Sequence, residues 1–304
     1  MMALESQAPH WEWYYIALYF FIGGVSAGAY FIGSLIELLG YEKHREVSKA
    51  AYRIAFPLIC ITPVLLIADL GRPERFWHLF FSNGPGSIYT NHTSPLSVGT
   101  WALLVYSGMS FLSFLNVQVE DGRLALPALK KVHEMFSRLP HKVYAAVGSF
   151  FGFFVAGYTG VLLNTTARPL WAGTDPWIGA LFIVSAASTG AAAIALVMAR
   201  RQALAPDTAR SLQTFEQPVM IAELAIIVVM LAVAGRYAVP LLTGLSGVLF
   251  LGGAVLLGLL VPLGRQFMAR AGTAERDGGV IITSAFILAG SAFLRIALVQ
   301  AGQS

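Results

Sequence analysis

The chain has 304 residues, 57% of them hydrophobic and only 12% charged, and its apolar residues fall in runs of about 20, the length that spans a bilayer. That excludes a water-soluble domain of this size, and the net charge of +4 carries no nucleic-acid signal because the basic residues lie between the apolar runs, where they report topology. The one cysteine, Cys60, excludes disulfides, a cysteine-held iron–sulfur cluster and a Cys-x-x-Cys-His haem attachment within the chain.

Met1 to Trp13 has no Lys or Arg ahead of the first apolar run. It lacks the basic start of a signal peptide, so the first span is read as retained. Eight spans are predicted, at roughly 13–39, 50–69, 96–116, 142–164, 176–199, 217–235, 239–262 and 279–300. The expected fold is all-α: one polytopic membrane bundle over residues 1–304. Fifteen of the 20 Lys and Arg residues follow spans one, three, five and seven; only Arg72, Arg75, Arg168, Arg236 and Arg295 belong to the other side. Basic loops stay cytoplasmic, so both termini are expected outside, in a bacterial or archaeal cytoplasmic membrane.

Span one carries Gly24 and Gly28, a G-x-x-x-G face for close helix approach, and Glu37 near its cytoplasmic end. Span two carries Pro57 and Pro63 and is expected to kink. It ends in Asp69-Leu70-Gly71-Arg72-Pro73-Glu74-Arg75-Phe76-Trp77-His78. Gly71 and Pro73 stop the helix there. Several ionisable side chains then crowd against hydrocarbon, which is costly and marks a functional site, although Trp77 alone reads as an interfacial anchor. The rest of this loop, Ser82 to Ser87 with Tyr89 and His92 beyond, has loop composition and reads as a lid or docking surface. Residues 117–141 are mixed in charge and read as solvated surface. Span four ends much as span two does, in Asn164, Arg168-Pro169 and Trp171. Ser94-Pro95 and Asp175-Pro176 read as helix starts, each a cap followed by proline.

Haem b in a membrane bundle needs histidines inside the spans. His10, His44, His78, His92, His133 and His141 all fall in loops or at span edges, and no zinc spacing is present. What remains is a polar layer at the outer end: Asp69, Arg72 and His78, with Tyr158, Asn164 and Arg168 from span four. Tyr19 lies about 9 Å in from Trp13 at 1.5 Å per residue, and Arg295, running outward, ends in the same layer. Such a layer suits a quinone head, whose two carbonyl oxygens need donors and whose reduction needs two protons. Tyr19, Arg72, Tyr158, Asn164 and Arg168 would donate or position, while Asp69 and His78 would relay protons. Glu223 is placed about 9 Å into span six from Gln217. With Glu37, Arg53, Asp69 and Arg295 it would line a proton route; the alternative is that each is a paired or snorkelling charge holding helices together.

The Asp69–His78 segment, Ala17-Leu18-Tyr19-Phe20-Phe21 with Gly23-Gly24, and Asn164 to Trp171 together resemble the NrfD/PsrC family, the membrane subunits of polysulfide reductase and related respiratory oxidoreductases. The resemblance implies a subunit free of haem and iron–sulfur clusters that exchanges electrons between menaquinone or ubiquinone and an attached iron–sulfur protein. That partner would be a four-cluster ferredoxin-like subunit joined to a molybdopterin catalytic subunit, or a multihaem cytochrome in some members. It also implies a quinone site at the outer end, beneath the partner. Tyr158 and Asp69 match polar residues of that site, and Arg168 falls in the matching Arg-Pro-Leu-Trp. Tyr19 stands where the polysulfide-reductase branch has a histidine, and Ile16 where it has an asparagine. A phenol donates a hydrogen bond but does not titrate near neutral pH. The rival reading is an ion or solute transporter with Glu37, Glu223 and Asp69 along its path. The echo between spans two and four counts against it, being parallel and at one surface rather than inverted about the midplane.

Overall fold

The computed structural model describes residues 13–70, 72–84, 87–89, 94–123, 127–136, 140–270 and 277–303. His10, Gly71, His92, Arg138 and Arg276 lie outside them. Eight helices are long and apolar enough to cross a membrane. They are α1 (Trp13–Leu39), α2 (Arg45–Ala68), α3 (Pro95–Glu120), α4 (His141–Asn164), α5 (Trp177–Arg200), α6 (Pro206–Ala234), α7 (Gly244–Met268) and α8 (Asp277–Gln303). The first and last described residues therefore lie at one end of the bundle, called here the terminus side; the other end is the basic side.

α1 and α5 form the centre, each with 78% of its most apolar stretch buried. α1 packs on α2, α4, α5 and α8, while α5 also holds α6 and α8. Small residues allow this. A Cβ on Gly28 would come 1.7 Å from the Ala186 carbonyl oxygen, and one on Gly190 would come 2.2 Å from the Gly28 carbonyl carbon. The G-x-x-x-G face is thus the α1–α5 contact at Gly28, whereas Gly24 lies against the Arg295 guanidinium.

Several boundaries differ from the sequence reading because charge stops an apolar run without stopping a helix. α6 begins at Pro206, eleven residues before Gln217, so Glu223 lies about 25 Å from its first residue rather than 9 Å. α2 begins at Arg45 and continues through both Pro57 and Pro63 to Ala68. Residues 117–141 are not plain solvated loop: α3 runs on to Glu120, and Pro127–Phe136 forms an amphipathic helix. Ser82–Gly84 and Ser87–Tyr89 pair as a small antiparallel ribbon. α7 is wound as a π-helix, with i to i+5 hydrogen bonding, over Val248–Leu260.

Candidate functional site

α2 ends at Ala68 with Asp69 as its C-cap, and α4 ends at Asn164 with Thr165 as its C-cap. After each comes an arginine outside helical backbone, Arg72 (φ −140°, ψ 82°) and Arg168 (φ −81°, ψ 124°), and then a short helix opened by proline, a 3-10 helix at the first corner and a single α-turn at the second. Proline disfavours the helical conformation in the residue before it, so the same dipeptide turns the chain at both corners, with different backbone angles. Pro73–Leu79 carries Trp77 and His78 stacked on each other, their ring centres 3.7 Å apart. Trp77 is exposed, and Asp69 and His78 are half-buried while Arg72 is exposed. At the other corner Trp171 is buried and donates its indole N–H to the Leu298 carbonyl at 2.8 Å, tying α8 to the corner.

Asp175 does not cap α5. The helix begins at Trp177, and the Asp175 carboxylate accepts the Asn164 side-chain N–H at 2.8 Å, closing the 164–177 corner. The other amide atom, Asn164 Oδ1, is buried without a hydrogen-bond partner among the described residues.

Beneath these corners Tyr19 and Tyr158 are buried in one apolar cluster with Phe20, Leu66, Leu79 and Trp171. Tyr158 lies against Gly99, where a Cβ would come within 1.8 Å of its ring. Among the described residues its hydroxyl reaches the Leu96 carbonyl alone, at 3.4 Å. That lies beyond the usual ~2.5–3.0 Å of an O–H donor, so the phenol retains donor capacity for a ligand. The sequence-derived quinone residues therefore divide into two depths: Tyr19 and Tyr158 inside, Arg72, Arg168 and Asn164 at the rim.

A substitution at Gly99 isolates the position of Tyr158. Gly99→Ala is expected to push the ring aside at an overpacking cost of about 1–3 kcal/mol. Gly108→Ala on the same helix, whose added Cβ meets nothing within 4 Å, should leave stability unchanged. Thermal unfolding of the two variants makes the comparison.

Arg295 is 1% exposed. It donates to the Phe20 carbonyl at 3.3 Å, to Ser185 Oγ at 3.1 Å, to the Ser291 carbonyl at 3.0 Å and to Ser291 Oγ. It therefore reaches the backbone next to Tyr19, the layer expected for it. Glu223 is also buried and accepts from Ser188 Oγ at 3.1 Å. A cavity of about 10 Å³, lined by Ser188, Glu223 and Ser291 among apolar neighbours, is of the order of one water.

Glu37 and Arg53 lie apart from this group, at the basic side. Glu37 pairs with Arg45 and accepts the Tyr52 hydroxyl at 2.9 Å. Arg53 pairs with Asp121. Arg45 to Glu120 (2.6 Å) and Lys49 to Glu120 and Asp121 (3.0 Å each) join the two pairs into one network clasping α1, α2 and the end of α3. The five residues expected along one route thus fall into separate clusters. The sequence reading missed Arg45, Lys49, Glu120 and Asp121, because these charged residues lie at or beyond the ends of the apolar runs used to find spans. Among the described residues no three His, Cys, Asp or Glu side chains converge as metal ligands.

The eight-helix bundle has counterparts in sequence. The family model described as "Polysulphide reductase, NrfD" matches residues 4–304. The chain belongs to the NrfD family. Within it, the chain is 27% identical to the "Protein NrfD homolog" of Haemophilus influenzae, over 97% of this chain and 95% of that one. It is 27% identical to the C chain of polysulfide reductase from Wolinella succinogenes, over 97% and 94%. A shorter match, 31% identical, covers 29% of this chain and 20% of the C subunit of selenate reductase from Mesobacillus selenatarsenatis. With eight apolar helices and NrfD membership, this is a multi-pass integral membrane protein of the kind found as a subunit of reductase complexes.

Proposed function

We propose that this NrfD-family subunit reacts with quinone at the terminus side of the bundle, which faces outside the cytoplasm. Electrons would pass between the quinone pool and an iron–sulfur partner docked over the 69–79 and 164–177 corners. The observation that carries the reading is the pair of buried phenols, Tyr19 and Tyr158, set beneath two arginine-proline corners that bear the exposed polar groups. A quinone ring has an apolar body and two carbonyl acceptors. The Tyr158 hydroxyl, held among the described residues by one long bond to Leu96, suits one acceptor, and the apolar cluster around both phenols suits the ring. Arg72 and Arg168 at the rim would position the partner or the headgroup. Asp69 and His78, half-buried between solvent and this layer, would exchange protons with the outer solution. The quinone supplies the two-electron, two-proton chemistry; the protein supplies its binding, orientation and proton contacts. The excess of basic residues on the opposite side supports the orientation.

The relatives named as polysulfide and selenate reductase subunits support a multi-subunit setting. A four-cluster ferredoxin-like subunit and a molybdopterin subunit, or a multihaem cytochrome, are the partners proposed. Gentle purification from native membranes, with mass spectrometry of every co-purifying subunit and extraction of quinone, tests this. An iron–sulfur subunit with bound menaquinone or ubiquinone is the expected result. A lone subunit without quinone, from preparations shown to be intact, would favour transport instead. Asp69→Asn, which keeps size but cannot take up a proton, is expected to lower quinone-linked turnover by about tenfold or more with the complex still assembled. Unchanged turnover would remove Asp69 from the mechanism.

A further inference from the structure

The basic-side ends of α1 and α6 border a cavity of about 290 Å³, close to the smallest sites that hold organic ligands. α1 lines it with Ile32, Leu35, Ile36 and Leu39. These stand three, four and seven residues on from the first, so they form one apolar face. α6 lines it at the same spacing, but its face changes character along the helix. Thr208 and Ser211 come first, at the basic end, and Leu212 and Phe215 follow toward the bundle. From Thr208 to Phe215 is about 10 Å along the axis, roughly two-thirds of the ~15 Å hydrocarbon half of a bilayer.

The mouth lies at the 3-10 turn Glu42–His44 between α1 and α2. Tyr41 and His44 border the cavity there, and Tyr41 is exposed, as aromatic side chains at the headgroup level are. Lys43 pairs with Asp207 at 3.3 Å. Their sequence neighbours His44 and Thr208 line the cavity, so the pair stands beside the mouth. Both of its side chains are well exposed, which makes it a weak pair and leaves Lys43 able to meet another anion. α6 starts here without a side-chain cap: its N-cap is Ala205, and Pro206 has no N–H to satisfy. The Asp207 and Thr208 N–H groups have no acceptor within the helix, and the helix dipole makes this end positive. Ser211 and Thr214 commit their hydroxyls to carbonyls four residues back, at 2.9 and 2.8 Å. The Thr208 side chain, 9% exposed and lining the cavity, makes no such bond among the described residues.

We infer that this cavity is a phospholipid site: it takes one acyl chain of a lipid in the basic-side leaflet and sets the lipid phosphate against Lys43 and the first turn of α6. The wall changes along its length as a phospholipid does. Lys43 and the free N–H groups meet the phosphate, Thr208 and Ser211 lie at the depth of the ester linkages, and the aliphatic faces of both helices enclose the chain. The acids at the mouth, Glu42 and Asp207, are both exposed and are screened by water. This side of the bundle carries fifteen of the 20 Lys and Arg residues, and a basic surface next to the bilayer attracts lipid phosphate. α1 and α6 each pack on α5, so a chain held between them would act as a further packing element at the basic end. The quinone layer is at the opposite end, and the inference is independent of it.

The test uses the intact protein, with its bound subunits, in maltoside micelles that contain no phosphate. The probe is phosphatidylglycerol with a photoreactive group in one acyl chain, read by peptide mapping after irradiation. Label is expected at residues 32–39 and 208–215, and unlabelled phosphatidylglycerol should compete it away. Ser211→Trp and Leu39→Trp each bring a bulky ring to an exposed part of the rim, where the fold has room for it. Each should lose most of the cavity label, while label on the exposed aliphatics of 248–256 in α7 stays as in wild type. Lys43→Gln should weaken competition by phosphatidylglycerol about fivefold, the effect of one cation near a lipid phosphate. Wild-type cavity label in both Trp variants would overturn the inference, because lipid would then be coating the surface alone. Equal competition by diacylglycerol, which has no phosphate, would also overturn it. So would competition by menaquinone with none by phosphatidylglycerol, which would make the cavity a second quinone site.

Discussion

Gly28→Ala is expected to abolish accumulation of the folded protein in the membrane. The substitution adds one carbon, and that carbon would sit 1.7 Å from the Ala186 carbonyl oxygen. The obstacle is backbone, so no rotamer relieves it. α1 and α5 would have to part by about 1.6 Å to restore a close C···O contact of ~3.3 Å. These two helices are the centre of the bundle, and every neighbour that α1 or α5 holds would shift with them. The cost should exceed the usual ~1–3 kcal/mol of overpacking. Gly264→Ala, in open space on α7, is the control. Membrane yield and thermal aggregation of the detergent-solubilised protein measure both.

Arg295→Leu is expected to destabilise the bundle by about 3–5 kcal/mol, the cost of stripping the cation from a buried charge network. It would leave Glu223 buried with Ser188 but with no cation within the group, and would remove the side-chain donor that Arg295 gives the Phe20 carbonyl. It would also remove the guanidinium that lies 5.0 Å over the Phe182 ring. If the charges are coupled through Ser185 and Ser291, Glu223→Gln added to Arg295→Leu should recover part of the loss, because a neutral amide no longer needs the cation. A double-mutant cycle on thermal unfolding reads the coupling directly. Strict additivity would show the two residues to be independent.

The spans were legible because burial in lipid leaves the plainest mark a sequence can carry, a long run without charge. The same mark misplaces helix ends. Glu223 sits far deeper in α6 than expected because the helix starts among polar residues at Pro206. The basic-side clasp of Arg45, Lys49, Glu120 and Asp121 was invisible for the same reason. The two arginine-proline corners were legible as local chemistry: at each, proline opens a short helix after a non-helical arginine. Asp175 was misread because a cap and a side-chain acceptor look alike in sequence; only the fold brings Asn164 to it.

The π-winding of α7 has a consequence for how this protein tolerates insertions and deletions. Gly253 and Gly258 both press on α8, the first against Phe293 and the second against Gly290. In an ordinary α-helix residues five apart point about 140° away from each other. Here the i to i+5 coil stacks them on one side. Removing a single residue from 248–260 would let the helix tighten and swing one of these glycines toward lipid, bringing a side chain into the place where Gly290 needs bare backbone. Length in this segment is therefore under constraint even where the identity of its lipid-facing aliphatics is not, and alignments that place a gap here misassign the α8-facing side for every residue beyond it.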